Sequence, residues 1–210
     1  MSLAMVLSLA DSRLPIGGHV HSGGVEEAIA SGLVRDAPTV EAYLRRRIGT
    51  AGLVAASLAA AVCAGELTVA AAEAEADART PAPAARTASR MQGRGLLRLA
   101  KQMWPQQDWS AIGPRPHLPT VFGVVGRAAD LRPVEIAEVV VYTTMTGAAT
   151  AAQRLLALDP AVVATTTMRL AALCDTTAHA AVTGLAALSD PLGDVLAERH
   201  IEREMPLFAS

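Results

Sequence analysis

From Val40 to Val62 the chain repeats an apolar residue every three or four positions: Val40, Leu44, Ile48, Ala51, Ala55, Leu58 and Val62. That period puts all seven on one face of a helix. Asp36-Ala37-Pro38-Thr39 is the start signal, with an acid at the cap and a proline where no donor is needed; Gly65 is the stop. A helix this apolar has to be covered by others. Composition says which kind: 51% of the 210 residues are apolar but only 3% are aromatic, so the core must come from Ala, Val and Leu. Alanine favours helix most, whereas strands draw on β-branched and aromatic residues. The expected fold is all-α, a single-domain bundle of roughly eight to ten helices over residues 1–200, followed by a flexible tail at 201–210.

The uncharged run 48–65 behind Arg45-Arg46-Arg47 imitates a membrane span with a positive flank. It is largely Ala and Gly and carries a stripe, so a buried core helix is the favoured reading and no membrane is expected. The apolar stretch Leu3–Ala10 has no preceding basic residue and reads as a short helix, not a secretory signal. Cys63 and Cys174 lie far apart without a CxxC pattern and read as buried free thiols of a reducing compartment, hence cytoplasmic, with a disulfide between them as the alternative. A net charge of −2 argues against nucleic acid.

Leu14-Pro15-Ile16-Gly17-Gly18-His19-Val20-His21-Ser22-Gly23-Gly24 cannot be regular helix. Helices are expected from Val25 to about Gly32, over 66–79 and over 84–103, where Pro81 and Pro83 separate the latter two. Trp104–Pro119 reads as irregular. Val121-Phe122-Gly123-Val124-Val125 fits either helix or strand. A long helix is expected over 134–158, another from Pro160 to about Leu188, and a short one ending at His200.

Candidate chemistry is sparse. His19 and His21 share a direction if the loop is extended, but no acid or thiol beside them completes a metal set. Asp175 and His179 sit one helical turn apart, the spacing of an oriented general base, with no nucleophile beside them. A metal carrier or helical enzyme built on His19, His21 or Asp175/His179 is the alternative reading. Arg86, Arg90, Arg94, Arg98 and Lys101 form a basic stripe that either grips an acidic partner or pairs with Glu73, Glu75 and Asp77 on the preceding helix. Gly93 and Gly95 cost helix stability, so they point to close packing, within the fold or against a partner. Phosphate loops, dinucleotide fingerprints, HExxH and GxSxG are missing. No catalytic residue is assigned.

Several segments in order resemble one family. Leu9-Ala10-Asp11-Ser12-Arg13-Leu14-Pro15-Ile16-Gly17-Gly18, continuing through His21-Ser22 to Gly24-Val25-Glu26, resembles the opening signature of UreF-type urease accessory proteins. Arg86, Ser89, Gly93 and Leu96-Leu97 match that family's central motif, His117–Gly123 its next block, and Leu207-Phe208 with Ser210 its ending. The chain departs from the pattern with His19 where Phe is usual, His21 where Tyr also occurs, Asp159-Pro160 for Gly-Gln, and Pro206 and Ala209 for arginines.

The resemblance implies a non-catalytic scaffold, commonly a homodimer, between a UreD/UreH-type accessory protein and a UreG-type GTPase, acting on apo-urease. It implies no intrinsic cofactor or metal, nickel being handled by the complex. The partner-binding residues it points to are Gly17, Gly18, His21, Ser22, Glu26, Arg86, Ser89, Gly93, Arg154, Leu207, Phe208 and Ser210. The tail is expected to order on the UreD-type partner, and the Gly17–Gly24 loop to face the GTPase.

Overall fold

The computed structural model describes residues 3–18, 21–187, 190–202 and 207–208. Its centre is the striped segment. Asp36 caps α3 (Ala37–Arg47) by accepting from Thr39 N–H at 3.0 Å, while the Thr39 hydroxyl accepts from the Asp36 N–H in return. A π-turn over Ile48–Gly52 carries the helix without interruption into α4 (Leu53–Ala64), which Gly65 ends in the left-handed conformation. This rod, Ala37–Ala64, spans 28 residues and is by length and composition apolar enough to cross a membrane. It stands inside the bundle, with α4 packed by α5 (Val69–Arg79), α7 (Leu118–Ala128), α8 (Pro133–Leu155) and α10 (Ala171–Ala181). Its burial matches the core-helix reading.

Around it lie α1 (Leu3–Leu9), α2 (Val25–Ala30), α6 (Pro83–Met103), α9 (Pro160–Arg169) and α11 (Pro191–Ile201). All secondary elements of any length are helices among the described residues, and one apolar cluster runs from Leu9 to Leu196. Small residues let the axes close up. A Cβ on Gly123 would lie 2.7 Å from Ala59 O and 2.5 Å from Val62 Cβ, and one on Gly126 would lie 3.0 Å from Cys63 Sγ. The two glycines are where α7 settles onto α4, so Val121–Val125 is helix. Cys63 and Cys174 are both free and buried, and burial pushes the Cys174 thiol up to about 11.

The largest departures from the pattern-based expectation fall in the stretch expected as one helix from Pro160 to about Leu188. The helix beginning at Pro160 breaks at Leu170 and does not run to 188. Thr165, Thr166 and Thr167 each turn a hydroxyl back onto a carbonyl of the preceding turn (Ala161, Val162 and Ala164), competition that weakens a helical ladder. After Ala181 the chain leaves the helix, and Gly184 takes a positive φ of 147°. The irregular 104–117 segment is held by its own aromatics: Trp109 donates its indole N–H to Trp104 O at 3.1 Å, and Trp109 and Ile112 are buried.

Candidate functional site

The glycine-rich loop roofs a cavity of about 580 Å³. Its walls come from α4, α6, α8 and α11, and its lining includes Gly18, His21, Ser89, Arg154 and Phe208. Five of the expected partner residues, spread over the whole sequence, thus meet at one place. The loop needs its glycines here for two reasons. Gly17, Gly23 and Gly24 have φ of 83°, 60° and 84°, the left-handed region. The Gly23 carbonyl also accepts from the Tyr43 hydroxyl at 2.8 Å, and a Cβ on Gly24 would lie 3.0 Å from that hydroxyl. Ser22 is fully buried behind the loop, and Gly17 and Gly18 are half-buried.

Glu26, in the first turn of α2, joins the two ends of the chain. Its carboxylate lies 2.7 Å from His200 Nε2 and accepts from the backbone N–H groups of Leu207 at 2.8 Å and Phe208 at 3.1 Å. Glu26 and His200 are 4% and 3% exposed. Burial alone would raise the carboxyl's pKa. The hydrogen bonds from His200, Leu207 and Phe208 together outweigh it and hold the pKa below the ordinary value. At these two residues of the tail, Glu26 accepts from both backbone N–H groups, Phe208 packs against the core, and Leu207 points outward at 78% exposure. Ser210 lies outside the described residues, as does His19.

The central motif on α6 turns inward. Ser89 Oγ lies 3.0 Å from His117 Nδ1 and accepts from Leu118 N–H at 3.2 Å, while His117 Nε2 lies 3.0 Å from Asp77 Oδ1. The His117 N–H donates to Glu73 at 2.9 Å. A Cβ on Gly93 would stand 2.2 Å from Pro116 O, and one on Gly95 would stand 2.7 Å from Ile16 O. Ser89 and Gly93 therefore fasten the 116–118 segment, and Gly95 seats the signature loop, all within the chain. Arg86 donates to Thr80 O and Pro81 O, bracing the α5–α6 corner.

Ser89, His117 and Asp77 occur in the order of a nucleophile relay, a grouping that sequence reasoning missed because nothing in the spacing links them. Their arrangement braces the fold. Ser89 bonds the first N–H of α7, a helix that has no side-chain cap of its own, and His117 is 1% exposed. Asp77 is shared with Arg90 at 2.8 Å. Asp175 and His179 meet in a local hydrogen bond: His179 Nδ1 lies 2.8 Å from the main-chain oxygen of Asp175, so that carboxylate does not orient the ring. Among the described residues no three His, Cys, Asp or Glu side chains stand close enough to hold a metal ion.

The basic stripe divides. Arg86 and Arg90 face Asp77, in line with pairing across α5 and α6. Arg94, Arg98 and Lys101 are exposed.

Residues 34–171 match the UreF family model. The chain belongs to the UreF family of urease accessory proteins. Over its whole length it is 68% identical to a urease accessory protein UreF of Mycobacterium sp. (strain JLS) and 66% to one of Mycolicibacterium vanbaalenii, each covered to 99%. The UreF protein of Mycobacterium tuberculosis (strain CDC 1551 / Oshkosh) is 61% identical over 209 residues. In this member of the UreF family the signature loop, the α6 motif and the Leu207-Phe208 ending are joined through one cavity and one carboxylate.

Proposed function

We propose that the chain is a non-catalytic cytoplasmic adaptor of urease maturation. In this reading it bridges a UreD/UreH-type accessory protein and a UreG-type GTPase, acts on apo-urease, and works as a homodimer within the complex. It holds no cofactor of its own, and nickel is handled by the assembly. Family membership supports association with other urease accessory proteins.

The observation that carries the docking role is the outward side of α11 and the tail. Leu192, Val195, Ile201 and Leu207 are exposed, while Leu196, Ala197 and His200 on the opposite side of α11 are buried. Exposed apolar side chains on a helix whose other face is already packed suit a partner surface. Deleting residues 201–210 should abolish the complex with the UreD-type protein on co-purification from cells expressing a urease cluster. The helical circular dichroism signal should persist. Undiminished complex formation would refute the docking role.

A further inference from the structure

Where the signature loop meets the end of α3, several polar side chains gather with their hydrogen-bonding groups unused. Arg46 pairs with Asp190 at the start of α11 and lies 5.0 Å from the centroid of the Tyr43 ring. Its Nε and Nη2 are buried without a hydrogen-bond partner, as is Asp190 Oδ2. Arg47 Nε is in the same condition, and so is Ser22 Oγ. Buried polar groups are almost always satisfied, and a guanidinium is among the costliest to leave unpaired, so a cluster of this kind requires an account.

Of the other charges on this cavity, Arg154 is exposed to solvent and the rest have partners. Asp11 is bonded to Arg13, Asp194 accepts from the Ala82 N–H, and Arg79 pairs with Glu75 and donates to Ala186 O. At the corner itself Asp190 pairs with Arg46, while Arg47 has no carboxylate within ion-pair distance among the described residues. Burial pulls the Arg46 pKa down, with the charge of Arg47 adding to it and the Tyr43 hydroxyl opposing it. The lack of a side chain at Gly23 matters too: a Cβ there would lie 2.9 Å from Arg47 Nη2. Glycine at 23 keeps the guanidinium uncovered on the side of the cavity, which Arg47 itself lines. A planar fork of N–H donors matches the edge of a carboxylate or phosphate, and about 580 Å³ is room for a small molecule.

We propose that this corner binds a small oxyanion, a carboxylate or a phosphate, with Arg47 as the principal contact, Arg46 behind it and Gly23 beside it. The exposed side chains of α11 and the tail, Leu192, Val195, Ile201 and Leu207, do not line this cavity.

The test uses the full chain with 15N-labelled arginine. The Nε–H resonances are followed while inorganic phosphate, and in a second series acetate, is added at constant ionic strength. Saturable shifts at Arg46 and Arg47, absent at Arg94 and Arg98, are expected for at least one of the two anions, and the anion that saturates first identifies the class. Arg47→Lys keeps the charge but removes the planar fork and should weaken binding about tenfold. Equal unsaturated drift at all arginines up to about 50 mM, or undiminished binding by Arg47→Lys, would overturn the site. If that variant loses its helical signal, the wild-type Nε titration decides alone.

Discussion

Glu26 and His200 stand 174 positions apart and meet at 2.7 Å inside the protein. The same carboxylate accepts the N–H groups of Leu207 and Phe208, so one side chain joins the signature loop's helix, the last helix and the tail. The carboxyl's pKa is depressed relative to its ordinary 4.5. A depressed acid stabilises the fold above its unfolded pKa, and that contribution is lost as pH falls through the folded value. Denaturant melts should therefore show weakening on the acid side of 4.5. Glu26→Gln should lower stability at neutral pH by about 3 kcal/mol and flatten the acid limb. An unchanged acid limb in that variant would mean that other carboxylates set it.

Glycines in helices should divide into two classes. Alanine at Gly93 gains helix propensity but drives its Cβ to 2.2 Å from the Pro116 carbonyl, a backbone atom that cannot swing aside. Gly93→Ala should lose about 2 kcal/mol or more. Gly147, inside α8, has nothing within 4 Å of the equivalent position, and Gly147→Ala should gain about 0.5–1 kcal/mol. Urea denaturation of both variants checks the pair, and equal effects would refute the close approach of α6 to residues 116–118.

Ser89 makes a narrower case. Ser89→Ala leaves the Leu118 N–H and a ring nitrogen of His117 without their partner, and should cost about 1–3 kcal/mol. A hydrolytic assay with an activated ester should give the same background for both proteins. Loss of ester turnover with unchanged stability would reverse the assignment and make the relay catalytic.

These cases also show what a sequence can and cannot disclose. Helix starts and stops at Asp36 and Gly65 were legible because their chemistry is local: a capping oxygen and a left-handed residue. The all-α class followed from alanine and the stripe. The break at Leu170 was missed, since apolar and threonine residues continue the helical pattern through it. Motif residues were legible through resemblance, but not their work. Ser89 and Gly93 act on residues 116–118, and Gly23 faces Arg47, relations that exist only after the chain has closed. Tyr43, Arg46 and Arg47 carried no signal beyond helix and charge, because their partners Gly23 and Asp190 lie in distant loops.

The last prediction concerns the outer half of α6. The helix from Pro83 to Met103 contains no acidic residue, and its basic residues fall into two groups. Arg90 is tied to Asp77, whereas Arg94, Arg98 and Lys101 are exposed beside Met91 and Met103 at 45% and 57%. Reversing a charge in the first group breaks an ion pair within the chain; reversing charges in the second touches only what approaches from outside. Arg94→Glu with Arg98→Glu should therefore leave stability within about 0.5 kcal/mol. If an acidic partner uses this face, the double variant should weaken co-purification of the urease accessory proteins, and raising salt should weaken the wild-type complex in parallel. Arg90→Glu should instead lower the melting temperature. Full recovery of all partners by the double variant at low salt would show that the second group is a solvated face.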